Sequence, residues 1–246
     1  CKTNKIFEIL YSILKTNKMK ESIILLFVSL FSFAGIAQDT TQIVSYEPLN
    51  IGFEKAPRAI VMDENENIYA GGFFQTADEK EAKYIAKWNG ESWSAMGKSF
   101  NNSCFALTIH KGEIYAGGFF TTSGDEPVNY IARWDANAQS WKPLAKGLNG
   151  ACFALASDGE NLYAAGKFTA TADGSQKLNK IAKWNGEKWS AMGDGFDNDC
   201  VALAVNKKGK VFAGGGFTKS GSTETSGIAA WNGTSWQSLN TGIDRW

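Results

Sequence analysis

The sequence predicts an all-β protein assembled from four tandem copies of one unit. Three recurring anchors predict it. Paired tryptophans occur as Trp88/Trp93, Trp134/Trp141, Trp184/Trp189 and Trp231/Trp236, with first members 46, 50 and 47 residues apart; they take up eight of the nine tryptophans. A second anchor reads NIYAGGFF (67–74), EIYAGGFF (113–120), NLYAAGKF (161–168) and KVFAGGGF (210–217). A third reads CFALTI (104–109), CFALAS (152–157) and CVALAV (200–205), with PRAIVM (57–62) as its divergent first copy. Self-similarity at a period near 47 residues marks a repeat architecture.

Each copy contains four short β-type segments. In the second copy they are CFALTIH, EIYAGGFF, NYIARW and SWKPLA, bounded by Gly, Asn, Asp or Ser and rich in aromatic or β-branched residues. Between the third and fourth segments stand WNGESW, WNGEKW and WNGTSW. Asn-Gly tolerates the two positive φ angles of a type I′ turn, so a tight hairpin with tryptophans paired across its mouth is expected. The second copy writes WDANAQSW, two residues longer, and an even insertion leaves both tryptophans on one face. Four strands per unit at this period correspond to one β-propeller blade. Helical periodicity is absent from the repeats. The double glycines at 71–72, 117–118 and 214–215 lack the following helix that a phosphate cradle needs, so they are expected where an aromatic side chain of the neighbouring blade approaches the backbone closely.

At these residues the chain resembles secreted bacterial propeller repeats of the Kelch and galactose-oxidase type, and the repeats of fungal cortical polarity markers, with their LYAGGxF…IAxWNGxxW units. The resemblance spans about residues 46–240 and implies a propeller fold; those families share blades and not one chemistry.

Blades are expected at about 51–97, 98–145, 146–193 and 194–240. SYEPLN (45–50) aligns with a fourth strand that lacks its first three, so the ring is expected to be incomplete in this chain and the chain a fragment. Ahead of the repeats, residues 19–37 combine Lys20, an apolar run from Ile23 to Ala34 and small residues at Gly35 and Ala37. That pattern is a cleaved signal peptide, the run being short for a membrane span. Met19 is the first methionine, so residues 1–18 read as untranslated upstream sequence. Residues 38–246 then hold 20 Lys and Arg against 23 Asp and Glu. Nothing there favours nucleic acid or an acidic membrane surface as a partner.

Chemistry-bearing residues are few. Cys104, Cys152 and Cys200 repeat because the blade repeats; with no C-x-x-C pair and an odd number they are expected as small buried hydrophobes rather than thiolate ligands or disulfides. His110 is the single histidine. A copper oxidase or a histidine-based hydrolase needs more ligands or a positioned base, so no catalytic residue, metal site or cofactor is expected. DENEN (63–67) places Asp63, Asn65 and Asn67 like calcium ligands but lacks the distal Glu, and turn chemistry accounts for it.

The equal-length loops between blades, GKSFNNS, AKGLNGA and GDGFDND, should open on the same end as the long loops between second and third strands. Their residues Phe100, Asn101, Asn102, Leu148, Asn149, Phe196, Asp197 and Asn198 are the expected binding positions around the channel mouth. The expected function is an exported, non-catalytic binding or scaffold module for protein or glycan at the cell surface. The alternative is the propeller part of a larger secreted enzyme whose catalytic residues lie elsewhere.

Overall fold

The computed structural model describes residues 52–239. The expected upstream segment, signal peptide and orphan strand at 45–50 lie outside them. Among the described residues there is no helix, and therefore none long and apolar enough to cross a membrane.

Four antiparallel four-stranded sheets follow one another along the chain, each in sequential strand order. The first blade consists of Pro57–Met62, Ile68–Gly72, Ile85–Trp88 and Trp93–Ala95. The second consists of Cys104–His110, Glu113–Gly118, Ile131–Asp135 and Ser140–Pro143. The third consists of Cys152–Ser157, Leu162–Gly166, Ile181–Trp184 and Trp189–Ala191, the fourth of Cys200–Val205, Val211–Gly215, Ile228–Trp231 and Trp236–Ser238. The first strands of successive blades pack against one another, so they line the axis. Each long loop after a second strand folds back on itself, as a two-residue hairpin in three blades, for example Thr122–Ser123 with Glu126–Pro127, and through the bridge Ala170–Lys177 in the third.

Alternation along the strands gives every blade two apolar faces, one for each neighbour. Tyr69 and Ile85 of the first blade meet Leu107, Ile114 and Trp141 of the second. Tyr115 and Ile131 meet Leu162, Trp184 and Trp189 of the third. Tyr163 and Ile181 meet Val211 and Trp236 of the fourth. The arc is open. Ile60 and Met62 hold the positions of Leu107 and Ile109 but are each 61% exposed, and Ala202 and Ala204 are exposed on the far face of the fourth blade.

The tryptophan pairs are directly opposed in register, Trp88 to Trp93, Trp134 to Trp141, Trp184 to Trp189 and Trp231 to Trp236. Their ring centroids are 5.2–5.7 Å apart. The hairpin between them differs from the expected type I′ turn. Gly90, Gly186 and Gly233 have positive φ, whereas Asn89, Asn185 and Asn232 do not. The asparagine instead turns its side chain inward: Asn89 Oδ1 accepts from the N–H groups of Glu91 (3.0 Å) and Ser92 (2.9 Å). Asn185, Asn232 and, in the longer turn, Asp135 do the same. An Asx side chain that caps two backbone donors removes the need for its own left-handed conformation.

The outer tryptophan also joins blades. Trp141 Nε1 donates to the Met96 carbonyl (3.3 Å), Trp189 Nε1 to Leu144 (3.3 Å) and Trp236 Nε1 to Met192 (2.9 Å). A buried indole N–H needs such a partner, and here the partner belongs to the preceding blade.

Candidate binding site

The end of the arc where blades connect is held by a repeated bracket. Phe100 stacks on Phe120 at 3.8 Å, Phe196 on Phe217 at 3.9 Å, and Leu148 lies fully buried at the same position. The next residue ties the inter-blade loop to the loop after the second strand. Asn101 Oδ1 accepts from Thr121 N (2.8 Å) and Thr122 N (3.1 Å), while its Nδ2 donates to Thr121 Oγ1 (2.9 Å). Asn149 makes the equivalent three bonds to Thr169 and Ala170. Asp197 accepts from Thr218 N, Lys219 N and the Thr218 hydroxyl. Burial pushes the Asp197 carboxyl up, and the Thr218 hydroxyl with the two N–H groups more than reverses this, leaving it below the usual carboxylate range.

The structure reveals a fourth bracket that the sequence reading did not register. Phe53 contacts Phe74 (4.4 Å) and Trp93 (4.7 Å). Glu54 then accepts from Gln75 N (2.5 Å), Thr76 N (2.7 Å) and the Thr76 hydroxyl. Its carboxylate, carried on one extra methylene, does the work of Asn101, Asn149 and Asp197 in the other copies.

Of the eight expected site residues, the structure therefore places Phe100, Leu148 and Phe196 in the interior. It engages the polar atoms of Asn101, Asn149 and Asp197 in the frame. Asn102 and Asn198 are exposed; Asn102 Oδ1 accepts from Ser103 N (2.8 Å), and Asn198 Nδ2 donates to the Gly216 carbonyl (3.3 Å).

What faces solvent at the mouth is a set of phenylalanines. The ladder between first and second strands shifts register between Pro57 and Ala59, Cys104 and Ala106, Cys152 and Ala154, and Cys200 and Ala202. A bulge of this kind re-aims one side chain. The re-aimed residues are Arg58, Phe105, Phe153 and Val201. Phe105 meets Phe73 (5.1 Å, 78°), Phe119 (5.1 Å, 70°) and Phe153 (5.9 Å, 56°), and Phe119 meets Phe153 (5.7 Å). Phe73 is 42% exposed, Phe119 39% and Val201 52%. The Arg58 guanidinium lies 5.6 Å from the Phe105 ring centre. Three blades thus contribute to one partly open aromatic cluster. A sequence signal existed: Phe105 and Phe153 each follow the repeated cysteine, and Phe73 and Phe119 each follow the double glycine.

The opposite end carries a cleft of about 500 Å³ between the second and third blades, lined by His110, Glu113, Tyr115, Arg133 and Trp184 among others. Arg133 pairs with Glu113 (2.6 Å), which also accepts from the Tyr115 hydroxyl (3.2 Å). His110 is 2% exposed, and its Nδ1 lies 2.8 Å from Ser157 Oγ, so it joins the two blades. The Ser157 hydroxyl also accepts from Gly159 N (3.0 Å), which marks it as a turn residue. At DENEN, Asp63 accepts from Asn65 N, Asn67 N and the Tyr69 hydroxyl; its carboxylate oxygens serve the turn. Among the described residues no group of three or more His, Cys, Asp and Glu could hold a metal ion.

Four-stranded blades around an axis, with loops gathered at one mouth, define a β-propeller domain whose ring is not closed over the described residues. The chain belongs to the family of the Rax2 C-terminal beta propeller domain, whose model matches residues 35–204. No match is found among curated proteins. Among solved structures, the extracellular domain of BT4673 from B. thetaiotaomicron is similar at 12% identity and a TM-score of 0.52, over 80% of this chain and 24% of that one. The chain thus spans about a quarter of the length of that structure. The computationally designed Ika4 protein is also similar, at 16% identity and a TM-score of 0.48, over 74% of this chain and 94% of that one.

Proposed function

We propose that the chain is an exported, non-catalytic binding module that takes a protein or glycan ligand at the blade-connecting mouth. The observation that carries this is the partly exposed cluster of Phe73, Phe105, Phe119 and Phe153, drawn from three blades and held on a bracketed frame. Large aromatic side chains left open on a rigid scaffold are what recognition sites are made of. Export rests on the signal-like segment at 19–37. The frame residues Asn101, Asn149, Asp197 and Glu54 hold the loops that rim the site, and Asn102 and Asn198 offer polar groups at its edge.

The test is binding of the folded chain to panels of surface proteins and cell-wall glycans, by biolayer interferometry. Saturable binding that weakens at least tenfold in Phe105→Ala and Phe119→Ala, with unchanged circular dichroism, is expected. Saturable binding indifferent to both substitutions would move the site elsewhere.

A further inference from the structure

Three equivalent positions of the four blades surround the mouth. In the inter-blade loop they are Lys55, Asn102, Gly150 and Asn198. At the bulge they are Arg58, Phe105, Phe153 and Val201, and after the second strand Phe73, Phe119, Lys167 and Gly216. These twelve positions contain three cations and no carboxylate, although residues 38–246 as a whole carry more acids than bases. Lys55, Arg58 and Lys167 are exposed, and none forms an ion pair among the described residues. Three carboxylates lie beside these positions: Glu54 and Asp197 stay ionised in their brackets, where they accept only from neutral N–H and hydroxyl groups, and Asp199 pairs with Lys180 at 3.4 Å. The mouth therefore combines an apolar floor with three exposed cations at its edge that form no ion pair among the described residues.

The shape of the floor separates two kinds of anionic ligand. Sugar rings stack on flat aromatic faces. Here neighbouring rings are inclined by 56–78° and lean edge to face, so they interlock into an uneven surface that suits an inserted apolar side chain. Resting on the binding reading above, we propose that the ligand is an acidic peptide segment, whose aromatic or aliphatic side chain seats on Phe105, Phe119 and Phe153 while its carboxylates face Lys55, Arg58 and Lys167.

The experiment uses three fluorescein-labelled probes with the full chain: a ten-residue peptide alternating glutamate with phenylalanine and leucine, its glutamine counterpart, and an oligogalacturonate. Fluorescence anisotropy is expected to show the acidic peptide binding about tenfold more tightly than its glutamine counterpart at low salt, the scale of two or three exposed charge pairs. Raising salt should shrink that preference. The triple variant Lys55→Gln, Arg58→Gln, Lys167→Gln should abolish it, bringing the acidic peptide's affinity down to that of its glutamine counterpart. Equal affinity for the two peptides, or preference for the oligogalacturonate, would overturn the acidic-peptide proposal. Provided binding remains sensitive to Phe119→Ala, either outcome leaves the site itself standing. No probe binding in a manner sensitive to Phe105→Ala or Phe119→Ala would sink both.

Discussion

The sulfur of Cys104 occupies the space that a side chain on Gly71 would need. A Cβ built on Gly71 would stand 2.7 Å from Cys104 Sγ, and one on Gly117 would stand 2.6 Å from Cys152 Sγ. Cys104 and Cys152 are thus each seated on the double glycine of the preceding blade. The thiols are free and buried, and burial pushes those of Cys152 and Cys200 up to about 12, which keeps them protonated and apolar. Gly117→Val should therefore destabilise the protein by about 2–3 kcal/mol through overpacking, read as a fall in urea midpoint. Cys152→Ala in the same chain should recover part of the loss. The third blade has Ala165 where this glycine would stand, opposite Cys200, so Gly117→Ala should be milder. Equal loss for Ala and Val would argue against this seat.

The indole staples should be separable from indole burial. Trp141→Phe keeps most of the apolar body and loses the bond to the Met96 carbonyl, at a cost of about 1–2 kcal/mol. Trp141→Ala also removes the side chain that is 1% exposed, and should cost about 3–5 kcal/mol. Chemical denaturation followed by tryptophan fluorescence measures both.

The brackets predict which substitutions the inter-blade loops accept. Asn101→Asp should be nearly neutral, because Asp197 performs the same role in the fourth blade. Asn101→Ala leaves Thr121 N and Thr122 N without their side-chain acceptor and should cost about 1–3 kcal/mol. Hydrogen exchange should rise first at those two amides.

Stability should fall in acid through the first-to-second-strand turns. Asp63 and Asp158 are pushed up by burial but pulled further down by hydrogen bonds, from Asn67 and Tyr69 in one case and from Asn161 and Tyr163 in the other. Their folded pKa values lie below the unfolded one. Their contribution is thus complete above the ordinary aspartate value near ~4 and is lost as pH falls through the lowered folded values. Urea midpoints at pH 5 and pH 2.5 should differ less in Asp158→Asn than in the parent.

His110 acts in a higher window. Burial lowers its pKa, and Lys111 adds to the effect. A histidine lowered on folding favours the unfolded chain as pH drops below the ordinary value near ~6.5. Melting temperature should decline between pH 7.5 and pH 5, and His110→Gln should flatten that part of the profile.

Residues close in sequence explain what could be read without coordinates. The four-strand unit, the opposed tryptophans and the polar turns are local: each follows from spacing, alternation and turn chemistry within about fifty residues. The buried cysteine was legible because the repeat generates it; the close approach at the double glycines was legible too, but the group that fills it is a cysteine sulfur and not the aromatic side chain expected there. Even locally one detail escaped, since Asn89 satisfies its turn through its side chain rather than through backbone φ.

The mouth was decided elsewhere. Phe100, Leu148 and Phe196 recur in polar loops and read as binding positions at the mouth, yet they cap the core, because only the packed neighbour supplies the ring or wall that each one meets. Phe73, Phe105, Phe119 and Phe153 come from three blades and gather only because the inner strands converge on one axis, where a bulge turns Phe105 and Phe153 outward beside Phe73 and Phe119 at the ends of the second strands. Alternation along a strand says which residues share a face; it carries no information about how separate faces meet around a ring.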